Sequence, residues 1–200
     1  MQRQLTAAIA ALLCGAIPVA NALPISKAHI PVKSSEWHQL SDAAKSGYAL
    51  GAMQTAAYIE GKTDAQSGCI SRLDEPLIGL LDTGSSDSDF VVFDAMELAM
   101  GTCETAPPQD DGMVSVERVS AVLGNEQSEI WYGMVIGIAD YLKVLVHGNI
   151  GESAADCVED ITLGVAGLDF SDPSKWTDTP DEPFVELVVN AAMNECGLFD

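Results

Sequence analysis

The sequence predicts an all-α protein made of two tandem repeats of a small helical bundle, each stapled by one disulfide. Three observations carry that expectation, and they occur twice in the same order. Gly47-Tyr48-Ala49-Leu50-Gly51 matches Gly133-Met134-Val135-Ile136-Gly137 at an offset of 86 residues. Cys69, followed ten residues later by Gly79-Leu80, matches Cys157, followed by Gly167-Leu168, at an offset of 88. Ala99-Met100-x-x-Cys103 matches Ala192-Met193-x-x-Cys196 at an offset of 93. Matching features in one order, with offsets that grow as loops lengthen, read as an internal duplication.

The first helix of the first unit is expected over residues 35–59, from a Ser N-cap and without a proline. Trp37, Leu40, Ala44, Tyr48, Leu50, Met53, Ala57 and Tyr58 recur there at helical spacing. Its counterpart over 128–146 is more apolar, with Ile130, Trp131, Met134, Val135, Ile138, Tyr141, Leu142 and Leu145, and reads as a helix buried on most sides. A helix-interior glycine costs about 1 kcal/mol against alanine. The pairs Gly47/Gly51 and Gly133/Gly137 each lie on one helix face, where missing side chains let a neighbouring helix approach. A phosphate-binding loop would require a preceding strand instead.

Second helices are expected over 69–81 and 157–168, and third helices over 90–103 and 183–196, with Pro183 suited to a first helical turn. Each cysteine pair then joins the start of helix two to the end of helix three. Of the three pairings open to four cysteines, the repeat selects Cys69–Cys103 and Cys157–Cys196. Each closes a loop worth roughly 4 kcal/mol in the chain-entropy description. The division is residues 1–22 as a signal peptide, 23–34 as a flexible segment, 35–103 as helical unit 1, 104–112 as linker and 113–200 as helical unit 2. Pro107-Pro108 and Asp110-Asp111-Gly112 mark the linker, and 113–123 reads as a short helix opening the second unit.

The start of the chain reads as a secretory signal. Arg3 precedes an uncharged apolar stretch from Leu5 to Val19, and Ala20-Asn21-Ala22 supplies small residues for cleavage near Ala22. Leu13 before Cys14 does not fit a lipoprotein site. No later segment is read as long enough to span a membrane, so the expectation is a soluble protein, periplasmic or secreted, without membrane insertion. Thirty Asp+Glu against nine Lys+Arg give a formal charge of −21, a field that repels nucleic acid and anionic lipid and speeds encounter with a basic partner. Four cysteines outside the signal, an even number in an exported chain, point to disulfides. No Cys-x-x-Cys and no histidine near a cysteine supports a zinc site.

Candidate chemistry is sparse. Leu80-Leu81-Asp82-Thr83-Gly84-Ser85-Ser86 resembles the catalytic turn of aspartic proteases, where a strand delivers one of two Asp that share a proton. The corresponding Leu168-Asp169-Phe170-Ser171 lacks the glycine, and residues before Asp82 read as helix. Asp82, Asp87 and Asp89 lack the central Gly and terminal Glu of an EF-hand. His29, His38 and His147 are scattered, and Gly151-Glu152-Ser153-Ala154-Ala155 does not complete a nucleophile elbow. Asp140, on an apolar helix, is open between a functional carboxylate and a hydrogen-bonded core residue. No catalytic residue, cofactor or metal ligand is assigned.

Taken whole, the unit resembles the Rap/Tai family of periplasmic immunity proteins of type VI secretion. That pattern is a glycine-bearing helix with a following Asp, a Cys, a helix, a Pro-containing loop, and an Ala-containing helix ending in Cys. The second unit carries it as Gly133, Gly137 and Asp140, then Cys157, Pro180 to Pro183, and Ala191-Ala192 before Cys196. The first unit keeps Gly47 and Gly51 but has Gln54 in place of the Asp and no Pro before its third helix. The match spans about 35–103 and 115–196, in a tandem form that departs from the family. The resemblance implies a non-enzymatic binder that blocks a secreted cell-wall amidase, here a basic hydrolase as protein partner. Whether units pair within one chain or across a homodimer stays open. Two rivals remain: a holdase like the acid-stress periplasmic chaperones, and a peptidase using Asp82.

Overall fold

The two longest helices set the frame, and each starts on a polar contact near its first turn. In the computed structural model, residues 34–61, 64–83, 92–103, 112–123, 129–165 and 178–198 are described. The expectations for the signal segment, for nearly all of the linker, for Asp87 and Asp89, and for Asp169 to Ser171 fall outside those residues. Helix α1 is Ser34–Trp37 and α2 is Asp42–Glu60. Ser41, extended at φ −67° and ψ 159°, caps α2 by accepting from the Ala44 amide at 3.2 Å. Its hydroxyl also donates to Glu129, which opens the long helix of the second half.

The chain continues through α3 (Asp64–Ile70), α4 (Asp74–Thr83) and α5 (Val92–Met100), which runs into a 3₁₀ turn at Gly101–Cys103. The second half contains α6 (Val116–Leu123), α7 (Glu129–Asn149), α8 (Glu152–Gly164) and α9 (Phe184–Glu195). Every regular element among the described residues is helical. One isolated antiparallel bridge joins Ser115 to Pro183. There the first amides of α6, at Val116 and Glu117, donate to the carbonyls of Glu182 and Pro180 at 3.0 Å each. The Phe184 amide, first in α9, donates to Val114 at 2.8 Å. Two helix starts therefore satisfy each other's orphan amides.

Several boundaries differ from the sequence expectation, each for a local reason. The first helix does not run unbroken from Ser35. It breaks over His38–Ser41, and Ser41, not Ser35, is the cap of the long helix. Trp37 is buried at this break, its indole N–H donating to Asp82 at 2.9 Å and its ring meeting Tyr48 edge-on at 5.9 Å. The second helix of the first half is two helices, because Pro76 cannot sit in a helix interior but fits the first turn of α4. Cys69 thus lies at the end of α3, and Cys157 lies within α8, so neither starts a helix. Gly151 just before α8 has φ 128°, a backbone open to glycine alone. Pro183 takes the N-cap position, one residue before α9.

The disulfides are Cys69–Cys103 and Cys157–Cys196, with Cα–Cα separations of 5.8 and 6.0 Å. The reading that no later segment reaches membrane-spanning length is corrected by α7: its 21 residues are long and apolar enough to cross a bilayer. Most of that apolar surface is turned into protein, with 67% of its most apolar window buried.

The most extensive helix interface is α2 against α7. A β-carbon on Gly47 would fall against the Ile130 carbonyl, and one on Gly51 against the Met134 carbonyl. A β-carbon on Gly133 would meet the Ala44 carbonyl, and one on Gly137 the Tyr48 carbonyl. All four contacts would be closer than 3.0 Å, which real β-carbons essentially never show. Since Gly47 pairs with Ile130 and Gly51 with Met134, the two helices run in the same direction where they cross. The contacts are reciprocal: Gly133 lies 86 residues after Gly47, and its partner Ala44 lies 86 before Ile130.

Around this crossing the buried apolar side chains of both halves form one connected core. Leu77, Leu81 and Met96 enter it from α4 and α5, and Val158, Ile161 and Val188 from α8 and α9. Phe184 packs on Trp131 with ring centres 5.2 Å apart. Helix α9 packs on both α8 and α2, so the last helix of the chain touches the first long one.

Replacing Gly51 or Gly137 by alanine should cost about 3 kcal/mol or more, because the new methyl meets backbone that cannot rotate away. For a chain this size that lowers Tm by roughly 6–12 °C. Gly79→Ala is the control, since Gly79 lies in α4 with nothing within 4 Å of the added carbon. It should leave Tm unchanged or raise it, by up to about 1 kcal/mol of stability. Thermal melts followed by circular dichroism check both, and equal behaviour of the two classes would refute the close crossing.

Candidate functional site

Three places bear on function: the Tyr48–Asp140 pair at the crossing, an acidic face beside the first disulfide, and a groove lined by residues of α2, α6 and α7. The four motif glycines and Asp140 come together at the crossing. Asp140 is 3% exposed, and its carboxylate accepts the Tyr48 hydroxyl at 2.7 Å. The sequence left Asp140 open between a functional and a core role. Its geometry is that of a core carboxylate bonded across the helix pair, closing the two halves together. Burial, then the Asp140 charge and its hydrogen bond, push the Tyr48 hydroxyl well above its ordinary value.

Gln54 in α2 lies 86 residues before Asp140 in α7. It is 1% exposed and does a different job. Its carbonyl accepts from the Val114 amide at 3.2 Å, and its amide reaches the Gly112 carbonyl at 3.4 Å. Gln54 thus pins the segment that enters α6.

Asp82 does not stand at the end of a strand. It lies on the last turn of α4, accepting from Trp37 at 2.9 Å and from Lys45 at 2.8 Å. Those two hydrogen bonds, the lysine's first, hold its carboxyl below the usual carboxylate value. Lys45 also lies 5.4 Å over the Trp37 ring. The residue that resembled a protease aspartate is the anchor of the α1–α2 break. His38 and His147 are exposed and far apart in the chain. No group of three or more metal-ligating side chains comes together among the described residues.

The acidic face centres on a depression of about 260 Å³ lined by Glu60, Gln66, Ile70, Glu97, Met100 and Cys103. Glu60 accepts the Tyr141 hydroxyl, so the end of α2 is fixed to α7 behind it. Burial first, and then Glu60 and Glu97, raise the Tyr141 hydroxyl far above its ordinary value. Leu98, next to Glu97 on α5, is 65% exposed.

The groove has a volume of about 400 Å³. Leu50, Val114, Val119, Ile130, Trp131 and Met134 form its apolar wall, the buried Gln54 and Ser71 line it as well, and Arg72, Asp74 and Arg118 are its charged lining. Gly112, at φ 66°, allows Arg72 to lie across it: a β-carbon there would stand 3.1 Å from the Arg72 Nε and 2.7 Å from the Ser71 hydroxyl. Sequence reasoning assigned no role to Arg72 or Arg118. One signal was present, since they are the only arginines after Arg3 in a strongly acidic chain. Their convergence across 46 positions was not readable from spacing.

Compared with known proteins, the chain matches no family model, no curated protein and no solved structure.

All four tyrosines are held above their ordinary value, first by burial in each case. A hydroxyl with a raised folded-state pKa keeps its full contribution below the unfolded value near 10 and loses it as pH rises beyond. Urea unfolding between about pH 9 and 12 should therefore show stability falling above pH 10. Tyr48→Phe should flatten that fall by up to about 1.4 kcal/mol per pH unit, while costing about 1–3 kcal/mol at neutral pH by removing the buried hydroxyl that Asp140 accepts. A flat alkaline limb in the parent protein would contradict the buried placement of Tyr48.

Proposed function

We propose that this chain is an exported, non-enzymatic binding protein of the immunity type, which neutralises a basic secreted cell-wall amidase by occluding it. The observation that carries the reading is the acidic face of α2 and α5, where Glu60 and Glu97 flank a depression and Leu98 stands exposed beside it. A charge of −21 accelerates encounter with a basic enzyme, and an exposed apolar anchor slows its release. The covalent staples support this reading: Cys69–Cys103 ties α3 to the end of α5 at that face, so little ordering entropy is lost on binding.

In this reading the two halves, 35–103 and 113–200 joined by 104–112, are copies of one duplicated unit of the Rap/Tai type. The reciprocal glycine contacts, related by 86 positions, support a duplication whose copies pair as a dimer of units would. Residues 1–22 are the signal that carries the chain to the periplasm or beyond, where two disulfides persist. The partner is a protein, and the field disfavours nucleic acid and anionic lipid.

The test is a peptidoglycan-cleavage assay against the exported basic amidases of the producing cell. One of them should be silenced at a one-to-one ratio, with an association rate that falls about tenfold or more as salt screens the charges. Glu97→Lys should weaken inhibition at least about tenfold while leaving the fold intact, because Glu97 is exposed. Full cleavage by every such amidase at large excess of the protein would remove the proposal.

A further inference from the structure

The groove does not suit a basic partner, because two arginines line it. We propose that it is a binding site for a small amphipathic monoanion, an apolar body carrying one carboxylate. The proposal goes beyond the immunity reading and does not rest on it.

The volume of about 400 Å³ lies in the range of small-ligand sites, and its wall is apolar with an indole in it. Trp131 is held in place from behind by Phe184, so its ring is a fixed surface. Gln54 bonds the 112–114 segment to α2, which makes that side of the groove rigid as well. Arg72 and Arg118 stand in its lining together with Asp74. A guanidinium presents paired donors in a plane, the geometry a carboxylate accepts.

The overall field opposes an anion at long range, so the groove must hold it by local contacts. A chain of net charge −21 repels anions at a distance, so an anion is retained only where cations are concentrated beside an apolar wall. Both arginines that follow the signal segment stand at this one groove. Gly112 adds a second device for the same end, since its missing side chain leaves room for the Arg72 Nε at the rim. An uncharged apolar ligand would use the wall and leave the rim unused.

Isothermal titration with 4-phenylbutyrate and its neutral amide tests the assignment on the intact protein. The acid should bind saturably at one site, and the amide at least about tenfold more weakly, as expected for loss of one charge-assisted contact. Arg118→Gln and Arg72→Gln should each weaken the acid at least about fivefold and leave the amide unchanged, which separates charge recognition from a change in the wall. Leu50→Trp, which fills the groove, should abolish both, with unchanged melting of all three variants reporting an intact fold. Equal affinities for acid and amide, indifference to both arginine substitutions, or no saturable binding of the acid at millimolar concentration would overturn it.

Discussion

At the centre of this protein, backbone carbonyls of two parallel helices occupy the space that β-carbons would need. Gly47 and Gly51 of α2 lie on carbonyls of α7, and Gly133 and Gly137 of α7 lie on carbonyls of α2. A glycine in a helix interior is costly on its own terms. Four of them are tolerable only because the close approach lets long side chains from both helices bury around the crossing. Tyr48, Met53, Met134, Ile138 and Leu142 are all buried there. Backbone-to-backbone contact leaves no rotamer to adjust, so the crossing admits one register.

Other features follow from that constraint. The polar groups that cross between the halves are placed by it: Ser41 with Glu129, Tyr48 with Asp140, Tyr141 with Glu60. Each joins α2 to α7 at a different level, from the start of the pair to its end. The disulfides act outside this pair. One ties α3 to the end of α5, the other ties α8 to the end of α9, so the shorter helices are held where packing area is smaller. The acidic face and the arginine-rimmed groove are both built on residues of α2, and the groove also uses α7. A shift of the crossing would move both.

The glycine spacing, the helical periodicity and the cysteine pairing were legible because each is a local or repeated pattern. What the glycines pack against was not. Periodicity marks a face as needing a neighbour without naming it, and here each pair's neighbour is backbone of the other long helix. The two serines near residues 35 and 41 offer the same capping chemistry. The choice between them is made by Trp37, whose indole finds Asp82 some 45 positions away. Pro76 was a local signal for the break between α3 and α4, since it cannot follow Cys69 within one helix. Asp140 and Gln54 show the limit most clearly. They lie 86 positions apart in the sequence, yet one closes the core with Tyr48 and the other fastens the entrance to α6.

Because α2 and α7 share one core, their amides should open together. Native-state hydrogen exchange with increasing denaturant measures this directly. Amides of residues 47–56 and 133–142 should exchange only through one common opening, with the same free energy and the same denaturant dependence. If the two sets open at clearly different free energies, each half holds its own core, and the glycine crossing is not what organises the protein.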